Sequence, residues 1–271
     1  MHNLESAYSS WGYGQAGHLT PRPRAKGLRP RRGAPSVSET VMLRRLEEQT
    51  PLSDIERGLL CKLSVFRECI QTGDALTRPG KPVVARIIIA GWACRQRTLP
   101  DGRRQIFNFL IPGDALGLTA ASSPLEEVST VALTRVECVD AMILKEILSA
   151  GDERHSRLQR ALGSARRQEH AALLDHIMRL GRQSALERLC HFFLEMRDRT
   201  RAAGLAESDE RFPLPLTQEV LADALGLSIV HLNRTLQQMK RDGLMHIHRG
   251  WLELHDTHRM ELLADYGPHD G

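Results

Sequence analysis

Between Leu216 and Leu254 the sequence LTQEVLADALGLSIVHLNRTLQQMKRDGLMHIHRGWLEL carries side chains suited to reading a DNA duplex. Ile229, Val230, His231, Asn233, Arg234 and Gln237 fall on one face and the N-terminal half of a predicted helix, and Leu232, Leu236 and Met239 fall on the other. Arginine bonds guanine bidentately and asparagine bonds adenine, the contacts that a recognition helix makes with base edges in the major groove. Valine has no acceptor and offers only apolar contact, for instance to a thymine methyl. Thr217, Ser228 and Arg249 complete the set expected to touch the duplex. The periodicity by itself fits an ordinary helical hairpin beside a small sheet equally well.

The elements that must position these side chains follow from local chemistry. Thr217 is a good N-cap, and Glu219 then sits in the first turn, where the helix dipole favours an anion. Val220, Leu221, Ala224 and Leu225 recur at helical spacing, so one face of this first helix is buried. Gly226 can take the left-handed conformation that ends it, Ser228 can cap the second helix, and Gly243 stops it. Met245 to His248, the pair Arg249-Gly250 and Trp251 to Leu254 then make a β-hairpin wing.

The stretch TQEVLADALGLSIVHLNRTLQQMKRDGL closely resembles the C-terminal winged helix of the bacterial Crp/Fnr transcription regulators, including the A-x-x-L-G-x-S turn and the arginine six positions after Ser228. The resemblance implies a sequence-specific regulator that binds double-stranded DNA at a palindromic operator as a homodimer. In the family, the arginine matched by Arg234 reaches into the major groove, and many members carry a cytosine-reading glutamate where this chain has Val230.

Upstream, Leu43, Leu46, Leu52, Ile55, Leu59 and Leu60 suggest short helices, after which the signature changes to strands. Val83 to Leu99 is apolar-rich and β-branched, Pro100-Asp101-Gly102 is a strong turn, Arg104 to Ile111 alternates as a return strand, and Val128 to Ile143 supplies more. Short strands with glycine turns indicate a jelly-roll. This region is similar to the family's cyclic-nucleotide-binding-like β-roll. Family members that bind cyclic nucleotides carry an Arg-Ser or Arg-Thr that neutralises the phosphate, whereas the corresponding SSPLEEVST has Glu126 and Glu127 and no arginine. Carboxylates repel a phosphate, so the expectation is no cyclic nucleotide by that mode. The family's iron–sulfur cluster needs three thiolates close together near the N-terminus. There is no cysteine before Cys61, and Cys138, near the family's fourth ligand, cannot hold a cluster alone.

From Asp152 to Leu180, Leu158, Leu162, Ala165, Glu169, Ala172 and then Leu173, Ile177 and Leu180 follow alternating three- and four-residue steps, the seam of a two-stranded coiled coil weakened by one glutamate. Leu158, Leu162, Ala165, Ala172, Leu173, Ile177 and Leu180 are therefore the expected dimer interface, which the resemblance also implies. The alternative is a helix packed on its own roll. Leu180-Gly181-Arg182 reads as a hinge, SALERLCHFFLEMRDRT as an amphipathic helix under the recognition helix, and residues 202 to 212 as a polar loop that in family activators faces RNA polymerase. The organisation expected is α+β: a basic tail over 1–40, the β-roll sensor over 41–151, a dimerisation helix and hinge over 152–182, a winged helix-turn-helix over 183–260 and a C-terminal tail over 261–271.

Composition bounds the rest. A chain of 271 residues suggests about two domains. No apolar run approaches the roughly 18 residues of a membrane helix, and the start lacks a signal-peptide pattern, so a cytoplasmic protein with no membrane partner is expected. Cys61, Cys69, Cys94, Cys138 and Cys190 are odd in number and widely spaced, which argues against disulfides and a C-x-x-C metal site. Arg22, Arg24, Lys26, Arg29, Arg31 and Arg32 place the chain's excess positive charge in a Pro- and Gly-rich tail, which is either dispensable or able to touch DNA phosphates. No nucleophile–base pair or phosphate-binding loop stands in motif context, so neither an enzyme nor a cofactor is expected. Two alternatives remain: a metal- or ligand-responsive repressor of the same fold, because His246 and His248 alternate onto one face near His255 and His258, and a ligand-binding module with no DNA role.

Overall fold

The computed structural model describes residues 37–47, 50–63, 67–118, 128–151 and 153–267, with side chains from residue 41 onward. Residues 1–36 of the expected basic tail, with all six of its arginine and lysine residues, and the pair Glu126 and Glu127 lie outside the described residues, whereas residues 37–40 begin a helix. Two helices, α1 (Val37–Glu47) and α2 (Asp54–Leu63), precede eight short strands: β1 (Arg67–Ile70), β2 (Ala75–Thr77), β3 (Arg86–Ala90), β4 (Ala93–Thr98), β5 (Arg104–Leu110), β6 (Ala115–Leu116), β7 (Ser129–Ala132) and β8 (Val136–Asp140). They form two antiparallel sheets, ordered β1-β8-β3-β6 and β2-β7-β4-β5. The apolar run Val83 to Leu99 is therefore two strands in different sheets. The chain switches sheets at Gly91, whose φ is +83° and where a Cβ would lie 2.1 Å from the Arg135 carbonyl oxygen, so no other residue fits. Likewise the run to Ile143 ends as helix, α3 (Met142–Ala150).

The roll's interior is filled by Ile70, Leu76, Ile88, Leu110, Val136 and Cys138. A second cluster packs Ile87, Ile89 and Val139 of the first sheet against Met42 and Leu46 of α1 and against the long helix α4 (Ser156–Arg182). A third joins Cys94, Ile106 and Phe109 of the second sheet to α5 (Ala185–Ala202) and the C-terminal domain through Phe192, Phe193 and Leu236.

The long helix places the residues of the expected dimer seam differently. Leu158 and Leu162 belong to the core of their own protomer, and Ala165 and Ala172 are half-buried against a cavity between α4 and the roll. Glu169, the supposed weak point, pairs with the guanidinium of Arg95 and accepts from Asn108 Nδ2 at 3.0 Å. The inward face continues through His176 and Arg179, which reaches Glu195 of α5. Leu173 is half-buried, and Leu180 packs on Gly226, its Cδ2 lying 3.1 Å from where a Cβ there would be. Of the expected seam only Ile177 points fully outward, and it does so beside two residues the sequence reading left out: Leu174, Ile177 and Met178 are 68%, 66% and 59% exposed. The inward face of α4 thus takes charged residues because they find partners on the roll and on α5, and Leu174, Ile177 and Met178 are the apolar residues left outside.

Nor does the helix break at Gly181. It runs to Arg182, and the bend falls at the extended Gln183, after which Ser184 and Glu187 form a capping box for α5. At the far end, the expected tail from residue 261 is partly domain: Asp256 caps α8 (Thr257–Ala264) by accepting from Arg259 N at 3.0 Å, and Met260 and Ala264 enter the third core. Tyr266 beyond it donates to Asp198 at 2.9 Å.

Candidate DNA-binding interface

The helix pair assembles from local signals. Thr217 Oγ1 accepts from Val220 N at 3.2 Å and starts α6 (Gln218–Leu225), and Gly226 ends it with φ +62°. Ser228 Oγ accepts from His231 N at 3.2 Å and starts α7 (Ile229–Arg241). Leu232, Leu236 and Met239 turn inward together with Thr235, whose hydroxyl donates to the His231 carbonyl at 2.9 Å. The opposite face holds Ser228, Ile229, Val230, His231, Arg234 and Gln237, all exposed, while Asn233 and Thr217 are half-buried.

Two features of that face are unlike an ordinary solvated helix. Ile229 and Val230 are 48% and 71% exposed, branched apolar side chains held in water at the helix start. Arg234, one turn further on, has no carboxylate partner among the described residues. Apolar contact and a free guanidinium side by side are what a floor of base edges can satisfy at once.

Strands β10 (Met245–His248) and β11 (Trp251–Leu254) form the wing, extended by β9 (Arg211–Pro213) on the other edge of β11. Arg249 and Gly250 make its two-residue tip with φ of +49° and +77°. That conformation is unfavourable for an arginine and places an exposed cation at the wing's end. His246 and His248 stack with ring centroids 6.2 Å apart, and His255 Nε2 lies 3.7 Å from Glu253 Oε1. These groups do not converge, and no set of three or more metal-ligating side chains comes together among the described residues.

The sequence reading missed what holds this unit in place. Arg188 of α5 donates to three backbone carbonyls: Gln183 at 2.8 Å, Leu225 at 2.9 Å and Leu180 at 3.0 Å. One guanidinium thereby satisfies the ends of both α4 and α6. Arg104 of β5 reaches across from the roll to Asp223 at 2.6 Å and stands 3.9 Å from Glu219, balancing the negative charge of α6. Arg199 of α5 bonds Asp114 at 2.8 Å and the Phe109 carbonyl at 2.7 Å. No spacing rule links residues so far apart in the chain.

The roll faces α4 and α5 across a cavity of about 520 Å³. Arg45, Arg95, Arg166 and Arg199 are among its lining residues, and of these Arg95, from β4, is 3% exposed and paired with Glu169. Burial pushes the thiols of Cys94 and Cys190 up to about 12 and that of Cys138 to about 11, so these three stay protonated. No cysteine is in a disulfide, and no described helix is long and apolar enough to cross a membrane.

Residues 187–263 match the Crp-like helix-turn-helix domain and residues 67–141 the cyclic nucleotide-binding domain. The nitrogen fixation regulation protein FixK of Bradyrhizobium diazoefficiens is 33% identical over 62% of this chain and 68% of its own. The transcriptional activatory protein AadR of Rhodopseudomonas palustris is 32% identical over 65% of this chain and 72% of its own. Among solved structures, FixK2 from Bradyrhizobium japonicum superposes with a TM-score of 0.64 at 23% identity, covering 74% of this chain and 98% of that one.

Proposed function

The chain belongs to the Crp/Fnr family of transcription regulators and is a sequence-specific DNA-binding regulator, and from that premise we propose how it works. Two copies pair through the outward stripe Leu174, Ile177 and Met178, and the pair sets two α7 helices into successive major grooves about 34 Å apart on a palindromic operator. Arg234 reads a base, Asn233 reads an adenine or holds a phosphate, and Val230 meets a thymine methyl. Arg249 and the hydroxyls of Thr217 and Ser228 hold the backbone. The observation that carries this reading is the exposed pair Ile229 and Val230 beside the unpartnered Arg234 on a helix capped at both ends of the preceding turn.

The protein acts in the cytoplasm, without catalysis, and activates transcription as its relatives named activators do, the loop from Ala202 to Phe212 meeting RNA polymerase. Cyclic AMP does not control it: the segment SSPLEEVST, where family members that bind cyclic nucleotides carry the phosphate-neutralising arginine, has Glu126 and Glu127 instead. Selection of bound sequences from random DNA tests the reading. Two symmetric half-sites recovered by the full chain, and lost with Leu174→Asp and Ile177→Asp together, are the expected result; a single asymmetric site unaffected by those changes would refute it.

A further inference from the structure

Most arginines of the roll and of α5 are matched to carboxylates: Arg67 to Glu137, Arg86 to Glu68, Arg104 to Asp223 and Arg199 to Asp114. The first half of α4 is different. Arg157, Arg160, Arg166 and Arg167 are exposed, and none has a carboxylate partner among the described residues. They are also ordered. Arg160 and Arg167 stand seven residues apart, and the same ladder continues through Leu174, while Gly163, His170 and Ile177 form the alternate rungs. The arginines thus lie on the face that carries the apolar stripe.

The consequence rests on the self-pairing proposed above. In a parallel two-stranded pairing each rung meets its own symmetry mate across about 8–10 Å. Arg160 and Arg167 of both copies then surround the axis in two layers about 10 Å apart along the helices. The layer between them is Gly163, which has no side chain, and the guanidinium of Arg167 already leans over it: its Nη1 lies 3.7 Å from where a Cβ at Gly163 would be. Four like charges around a hollow repel one another, and none of the four has a carboxylate partner among the described residues.

We propose that this hollow is an anion site shared by two copies, taking a compact polyanion of the pyrophosphate class, two or three linked phosphates either free or as the phosphate chain of a nucleotide. Guanidinium forks match phosphate oxygens bidentately, and a multiply charged chain spans two layers as a single carboxylate does not. Binding ties the N-terminal halves of the helices together and so strengthens the dimer by linkage.

Sedimentation equilibrium of the full chain, with ionic strength held constant by sodium chloride, tests this with inorganic tripolyphosphate and ATP as probes. Tripolyphosphate should tighten dimerisation at least about five-fold. A matching effect of ATP assigns the phosphate chain of a nucleotide as well, and none from ATP assigns the free chain. Arg160→Gln with Arg167→Gln should dimerise at least as well as the wild type without the anion and lose the response. Gly163→Leu, which fills the hollow where a Cβ would meet only the Arg167 guanidinium, should lose it too. A response no larger than with sulfate at equal ionic strength, or one that survives in the arginine variants, overturns the site. A chain that is monomeric in every condition and sediments identically as Leu174→Asp overturns instead the pairing on which the site rests.

Discussion

The helices α7 and α4 have two faces each, yet they divide their residues by opposite rules. In α7 the apolar side, Leu232, Leu236 and Met239, is inside and the polar side is outside, apart from Ile229 and Val230. In α4 the inward face mixes Leu158 and Leu162 with Glu169, His176 and Arg179, while Leu174, Ile177 and Met178 stand in water. Water sorts side chains only when the packing surface is apolar. The roll and α5 offer Arg95, Asn108 and Glu195, and a buried charge opposite its partner with good geometry can occupy a position that hydropathy assigns to leucine. In both helices the apolar side chains left outside are the ones on which the proposed contacts, with DNA and with a second copy, rest.

The sharpest way to break this comparison is to remove an inward charge. Glu195→Ala leaves Arg179 and Arg199 buried without their shared carboxylate and should cost about 3–5 kcal/mol in urea unfolding, whereas Leu174→Ala should leave protomer stability nearly unchanged. A larger loss for Leu174→Ala than for Glu195→Ala would put the faces of α4 the other way round.

Acid provides a second route. Burial, and then the Arg179 cation, push His176 down to about 4 from 6.5, against the pull of Glu195. The folded state therefore keeps His176 neutral while the unfolded chain takes up a proton, so its contribution is full above pH 6.5 and is lost as pH falls toward 4. The loss is on the order of 3 kcal/mol. Burial also raises the Glu195 carboxyl, but Arg179 and Arg199 outweigh it and hold the group below its usual 4.5, so its contribution is complete above 4.5 and is lost only at more acid pH. His176→Gln should flatten the stability profile between pH 6.5 and 4; an unchanged slope there would place the proton uptake elsewhere.

A smaller effect sharpens the other side of the comparison. Arg104 and Asp223 are each about a quarter exposed, so their coupling in a double-mutant cycle, Arg104→Ala against Asp223→Ala, should be about 1 kcal/mol. No coupling at all would mean that this ion pair does not help to hold α6 on the roll, leaving apolar contact and the bond from Gln105 Nε2 to the Ala224 carbonyl at 3.3 Å.

How much could be read in advance followed the same division. Thr217, Gly226, Ser228 and Gly243 act on their immediate neighbours, so the helix pair was legible from types and spacing, as were the strand–turn signals around Pro100 and Gly102. The phase of α4 was not, because it depends on Arg95 and Asn108, far away in the chain. Arg188, which satisfies three carbonyls, carries no local signature either. Two features do have local signatures: the Ser184–Glu187 capping box, which sets the bend, and the Asp256 cap, which begins α8.

That the outward face of α7 discriminates between bases is tested most directly by Arg234→Ala, with affinity measured for the selected operator and for unrelated DNA at one salt concentration. The expected result is a loss of about 1–3 kcal/mol on the operator, confined to one symmetric pair of positions, with affinity for unrelated DNA nearly unchanged. If both affinities fall by the same factor, Arg234 holds only the phosphate backbone, and the face defined by Val230 and Arg234 is not the one that reads sequence.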